Sequence, residues 1–138
     1  MTIEHGSFLD EESAELMKEK GAILVPTMLV IDRITADLTK LPPQLRGKAE
    51  STAARARHAA KIAQAKGIPF AVGTDSLTSG ASSLLRLGES AKELELMVQH
   101  AGLTPMEAII AATSAGPKCL GKQAPKSGML AVGHDADV

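Results

Sequence analysis

Two side chains able to do metal or proton chemistry stand at the ends of apolar, strand-like segments. His5 lies in Ile3-Glu4-His5-Gly6, and Asp75 lies in Gly73-Thr74-Asp75-Ser76, directly after the apolar run ending at Val72. A neutral imidazole can bind a divalent cation, and Gly6 lets the chain turn away closely beside it. A carboxylate straight after a buried strand is costly unless it is hydrogen-bonded, paired or metal-bound. Barrel enzymes of the α/β class build their sites at the C-terminal ends of strands, so both placements suit a hydrolytic metal centre. Residue type alone leaves plainer readings open: a structural histidine, and an aspartate that caps a helix or shapes a turn. Ser76 has two roles open to it, orienting a substrate or capping the next turn.

The elements that must present these residues alternate in type. Thr2–His5 reads as a short strand and Glu11–Lys20 as a helix, with Asp10 as N-cap, Gly21 as stop, and Ala14, Leu16 and Met17 on one apolar face. Ala22–Val25 is a continuous apolar run ending at Pro26, which suits a strand covered on both faces. Met28–Lys40 reads as helical, and Pro42-Pro43 prevents one helix from continuing through it. Gln44–Lys66, rich in Ala, Arg, Lys and Gln, is the strongest helix signal, and Gly67 ends it. Ile68–Gly73 reads as a third buried strand. Ser82–His100 follows as an amphipathic helix, with Leu85, Leu94 and Met97 as core candidates. Thr104-Pro105-Met106-Glu107 predicts a capping box opening a helix that runs to about Ser114. Met129–Val132 reads as strand-like, before the turn Gly133-His134-Asp135. This βα alternation implies an α/β fold with a parallel sheet.

Composition narrows the function classes. With 138 residues, 44% hydrophobic content and 22% charged content, the chain has the profile of one folded domain, not a disordered segment. A net charge of −1 with dispersed Lys and Arg, and Phe8 and Phe70 as its aromatics, argues against nucleic-acid binding. No segment is long and apolar enough to cross a membrane and no signal peptide opens the chain, so cytoplasm is the default compartment. The single cysteine, Cys119, excludes an internal disulfide and reads as a small buried hydrophobe. His58 inside the long helix, His100 at a helix C-terminus and His134 in a turn carry no site signal. Gly73–Gly80 is rich in glycine and hydroxyls but lacks the Gly-Lys-Ser/Thr ending of a phosphate-binding loop.

A family resemblance joins these motifs. Ile3-Glu4-His5-Gly6, Asp10-Glu11-Glu12 and Leu16–Gly21 resemble the region around strand six of the metal-dependent amidohydrolases. Val25-Pro26-Thr27 resembles the end of strand seven, and Gly73-Thr74-Asp75 the eighth-strand signature. Leu103–Ile109 with Ala111-Ala112-Thr113 resembles the following helix. Gly128-Met129-Leu130, Gly133 and Asp135–Val138 resemble the return to a small β-domain. The branch it is most similar to holds imidazolonepropionase-like enzymes, Xaa-Pro dipeptidases and the ochratoxin-hydrolysing amidohydrolase.

The resemblance implies the last three βα units of a TIM-type (β/α)₈ barrel over residues 1–124, and the beginning of the small β-domain over 125–138. It implies His5 as a metal ligand and Asp75 as both metal ligand and catalytic carboxylate, taking a proton from the attacking water. The cofactor would be a divalent metal, zinc first, with one or two ions in the complete enzyme. The substrate would be a small amide or dipeptide-like molecule cleaved at a C–N bond. The family's first-strand His-x-His, fourth-strand lysine and fifth-strand histidine precede the position of His5, and Ser76–Leu87 lacks the His-Gly pattern of dipeptidase-like members. The expectation is therefore little or no hydrolysis by this chain alone. Its partner would be an N-terminal half-barrel, or its own strand edges in an oligomer. The alternative is a non-catalytic remnant or interaction module with an incomplete metal site.

Overall fold

The computed structural model describes residues 1–76 and 88–136. Strand β1 (Thr2–Glu4) lies parallel to β2 (Ile23–Val25), with Thr2 opposite Ile23, Ile3 opposite Leu24 and Glu4 opposite Val25. Between them runs helix α1 (Glu11–Glu19), capped by Asp10, whose carboxylate accepts the Ser13 N–H at 2.8 Å. Ala14 and Met17 face the core as expected; Leu16, assigned to the same face, is 55% exposed. Gly21 ends this unit at φ +60°, a conformation glycine adopts without strain.

The third strand is shorter than the apolar run predicts. Phe70 forms a single parallel rung with Leu24, made by Leu24 N–H donating to Pro69 C=O and Ala71 N–H to Leu24 C=O. Prolines on both strands confine it, since Pro69 and Pro26 have no N–H with which to extend the ladder in either direction. Beyond the rung, Val72 N–H donates to Ala111 C=O at 3.2 Å.

Helix α2 (Met28–Ala36) passes through the 3₁₀ turn Leu38–Lys40 into α3 (Pro43–Ala65). The long helix buries Ala53, Ala56, Ala59, Ala60 and Ala63, small side chains that let it approach its neighbours closely. Lys66, just past its end, bonds Glu11 at 2.8 Å and Glu15 at 2.7 Å, tying α3 to α1. Helix α4 (Lys92–Leu96) continues as a π-type turn, Met97–Ala101. Of the helix expected over Ser82–His100, residues 82–87, including Leu85, lie outside the described residues; from 88 on, helix begins at Lys92, Leu94 is half-buried, and Met97 is buried as expected. Helix α5 (Pro105–Ala112) carries the full capping box, Glu107 N–H to Thr104 Oγ1 and Thr104 N–H to Glu107 Oε2.

Both faces of the sheet are covered. Leu24 and Phe70 belong to the main core with Met28, Leu29, Leu96 and Met97, while Ile23, Val25 and Ala71 pack with Ala115 and Cys119. The tail departs from expectation. Residues 129–132 form no strand with any described residue, and Leu130 and Val132 stand in solvent.

Candidate active site at the strand ends

The chain runs parallel through β1, β2 and the Phe70 rung, and beyond each lies a non-glycine residue in the left-handed region. These are His5 (φ +63°), Thr27 (φ +51°) and Asp75 (φ +54°), the complete set of such residues among those described. Non-glycine residues seldom adopt this conformation; Asp and His do so more readily than a β-branched threonine. His5 is the centre of a three-residue turn closed by Gly6 N–H donating to Glu4 C=O at 2.8 Å, the rarer and more strained hand of such a turn. Its own N–H donates to Val25 C=O at 2.8 Å, so the histidine backbone is anchored to β2. A Cβ on Gly6 would stand 2.5 Å from Leu24 Cδ1, which explains the glycine.

Thr27 links the outer two positions. Its Oγ1 lies 2.7 Å from His5 Nδ1. That contact sets the ring orientation and leaves Nε2 as the ring's other coordinating atom. On the other side, a Cβ on Gly73 would come within 2.5 Å of Val25 Cγ1 and 3.9 Å of Thr27 Cγ2. Glycine lets the segment leading to Asp75 lie this close to the end of β2 without displacing Val25. Asp75 is exposed, and the flanking hydroxyls of Thr74 and Ser76 bond one another at 3.0 Å. Ser76 is thereby engaged within its own turn.

Beneath Thr27 lies a fully buried carboxylate. Glu93 Oε1 accepts Met28 N–H and Oε2 accepts Leu29 N–H, both at 2.6 Å, where α2 begins. Thr27 occupies the N-cap position of α2 without making a side-chain cap bond, so Glu93 supplies that function from 65 residues away. Burial pushes the Glu93 carboxyl up to about 7, against the downward pull of its two N–H donors.

Residue types and spacing placed His5 and Asp75 at strand ends; the structure has His5 directly after β1, while Asp75 lies five residues beyond the Phe70 rung in a segment without strand pairing. They did not single out Thr27 or Glu93 as site residues. Thr27 had a signal in its position directly after a buried strand. Glu93 had one too, because it shares an apolar stripe with Leu96, Met97 and Ala101 at helical spacing. Cys119 is half-buried, its Sγ donating to Ala115 C=O at 3.7 Å, and burial raises its thiol pKa, which suits packing. His100 is also half-buried, and burial holds its imidazole below the usual range. Among the described residues, no group of three or more His, Cys, Asp or Glu is placed to hold a metal ion.

The amidohydrolase family matches across residues 1–138. The chain belongs to the amidohydrolase family. It is 38% identical to ochratoxinase from Aspergillus niger over 138 residues, which is 99% of this chain and 27% of that protein. The crystal structure of A. niger ochratoxinase superposes with a TM-score of 0.85, covering 99% of this chain and 29% of that one. A Xaa-Pro dipeptidase crystallised with methionine in its active site is 31% identical, with a TM-score of 0.78, over 98% of this chain and 32% of that chain. This amidohydrolase chain thus spans less than a third of each of these relatives, and its small parallel sheet and helices match a fragment of each fold.

Proposed function

We propose that this chain is the C-terminal part of a metal-dependent amidohydrolase that hydrolyses amide or dipeptide-like C–N bonds. The observation that carries the proposal is the set of three left-handed residues, His5, Thr27 and Asp75, lying in turn beyond β1, β2 and the Phe70 rung. Strained backbone of this kind collects at functional sites, where surrounding structure holds it in place. The names of the relatives, ochratoxinase and Xaa-Pro dipeptidase, support a small amide or peptide-like substrate.

In this reading residues 1–124 are the last three βα units of a (β/α)₈ barrel, and 125–138 begin the small β-domain. His5 is a metal ligand through Nε2, oriented by Thr27 at Nδ1. Asp75 is a ligand and the carboxylate that takes the proton of the attacking water. Catalytic zinc sites take three protein ligands, and two donors do not fit a complete centre. His5 and Asp75 are therefore contributed ligands of a divalent-metal site, zinc first, finished by groups outside this chain. No hydrolytic step runs through a metal held by these residues alone.

The test is a chimera in which this chain replaces the matching segment of A. niger ochratoxinase. The chimera should hydrolyse an amide substrate, and Asp75→Asn should lower kcat by roughly 10²–10⁴-fold, the range of a lost general base. An Asp75→Asn chimera as active as its parent refutes the assignment. The lack of a three-donor cluster among the described residues favours a second reading, a non-catalytic remnant or interaction module. A folded chimera that binds zinc but turns over nothing would select it.

A further inference from the structure

Thr27 is the least expected residue of the site, since a β-branched side chain strongly disfavours the left-handed region. Its conformation persists only if its surroundings over-determine it. On one side is the His5 ring; on the other, the next two residues are held by one carboxylate. Glu93 is 0% exposed, and each of its oxygens accepts one N–H from the first turn of α2, at 2.6 Å. Glu93 itself is fixed by α4, whose next turn buries Leu96 and Met97 in the main core. A rigid path therefore runs from the core through Glu93 to the first turn of α2, then to Thr27 Oγ1 and His5 Nδ1. We propose that Glu93 is a positioning residue of the strand-end site, gripping the Met28 and Leu29 N–H groups so that Thr27 stays left-handed and its hydroxyl orients the His5 imidazole.

The inference deepens the hydrolase reading, on which it rests for what an oriented His5 is used for. The geometry it concerns is measurable without turnover. The probe is the ¹⁵N chemical-shift pair of His5, which reports tautomer and hydrogen bonding, recorded on the full chain. Thr27→Val, which removes the hydroxyl and keeps the shape, defines the signature of an unoriented ring. Glu93→Gln replaces one acceptor with an NH₂ that cannot accept, and should move His5 toward the Thr27→Val position. It should also speed amide exchange at one of Met28 and Leu29, whichever faces the new NH₂, by up to roughly tenfold, as expected for losing one hydrogen bond. Glu95→Ala is the structural control: it breaks the solvent-exposed bond from Gln99 on the same helix while leaving Glu93 and the buried core side chains unaltered, and should leave the His5 signature in place.

Three results would overturn the proposal. One is a folded Glu93→Gln protein with unchanged His5 shifts. Another is a Glu95→Ala protein with the same His5 shift as Glu93→Gln. The third, read on the unsubstituted chain and so independent of whether any variant folds, is fast exchange of the Met28 and Leu29 amides. Loss of hydrolysis in the chimera with these signatures intact would count against the hydrolase reading alone.

Discussion

At the scale of single residues, the site is a compromise between backbone strain and side-chain placement. His5 and Asp75 are types that tolerate left-handed backbone, and the sequence marks both through an apolar run and an adjacent glycine. Gly6 and Gly73 are needed because a Cβ at either would meet a neighbouring side chain at 2.5 Å. Thr27 also follows an apolar run, but no glycine accompanies it. Nothing local favours a left-handed threonine, and the conformation costs about 1–2 kcal/mol. Thr27→Gly sheds that strain while losing the hydroxyl; Thr27→Val keeps the strain and loses the same hydroxyl. Thr27→Gly should therefore be the more stable of the two in urea denaturation, by about 1 kcal/mol or more. Equal stabilities would mean that position 27 carries no strain.

At the scale of elements, local rules and tertiary placement divide cleanly. The Asp10 cap of α1 and the Thr104–Glu107 box of α5 were legible because each bond closes within four residues. The truncated third strand was legible in principle from Pro26 and Pro69, but a run of apolar residues outweighs two missing donors when it is read as a pattern. The start of α2 was not legible, because its capping group arrives from α4. That arrangement has a pH signature. The Glu93 carboxyl sits at about 7 in the fold against an ordinary 4.5, so between those values the folded chain binds a proton that the unfolded chain has released. Its contribution to stability is complete below about 4.5 and is lost as pH rises through 7, by an amount on the order of 3 kcal/mol at ~1.4 kcal/mol per unit. Thermal melts from pH 5 to pH 8 should show this decline in the parent and a flatter profile in Glu93→Gln. Parallel profiles would place the Glu93 carboxyl near its ordinary value.

At the scale of the whole molecule, the sheet has an order of β1, β2 and the Phe70 rung, so β1 and the Phe70 segment are its outer members among the described residues. Outer strands with unpaired backbone groups favour association with another chain or copy. With one histidine and one aspartate offered at the strand ends, the chain by itself should bind zinc weakly in calorimetry, and it should self-associate in light scattering as concentration rises. Tight stoichiometric zinc binding by a monomer would contradict both expectations. The amino-acid sequence by itself determined the βα alternation and the local caps and nominated His5 and Asp75 as site candidates, because these are written in periodicity and in motifs a few residues long. Only the tertiary structure decided that Thr27 joins His5 to the end of β2 and that Glu93 holds Thr27 there. Those bonds span 22 and 65 residues, and they depend on strand register and helix packing that no short window contains.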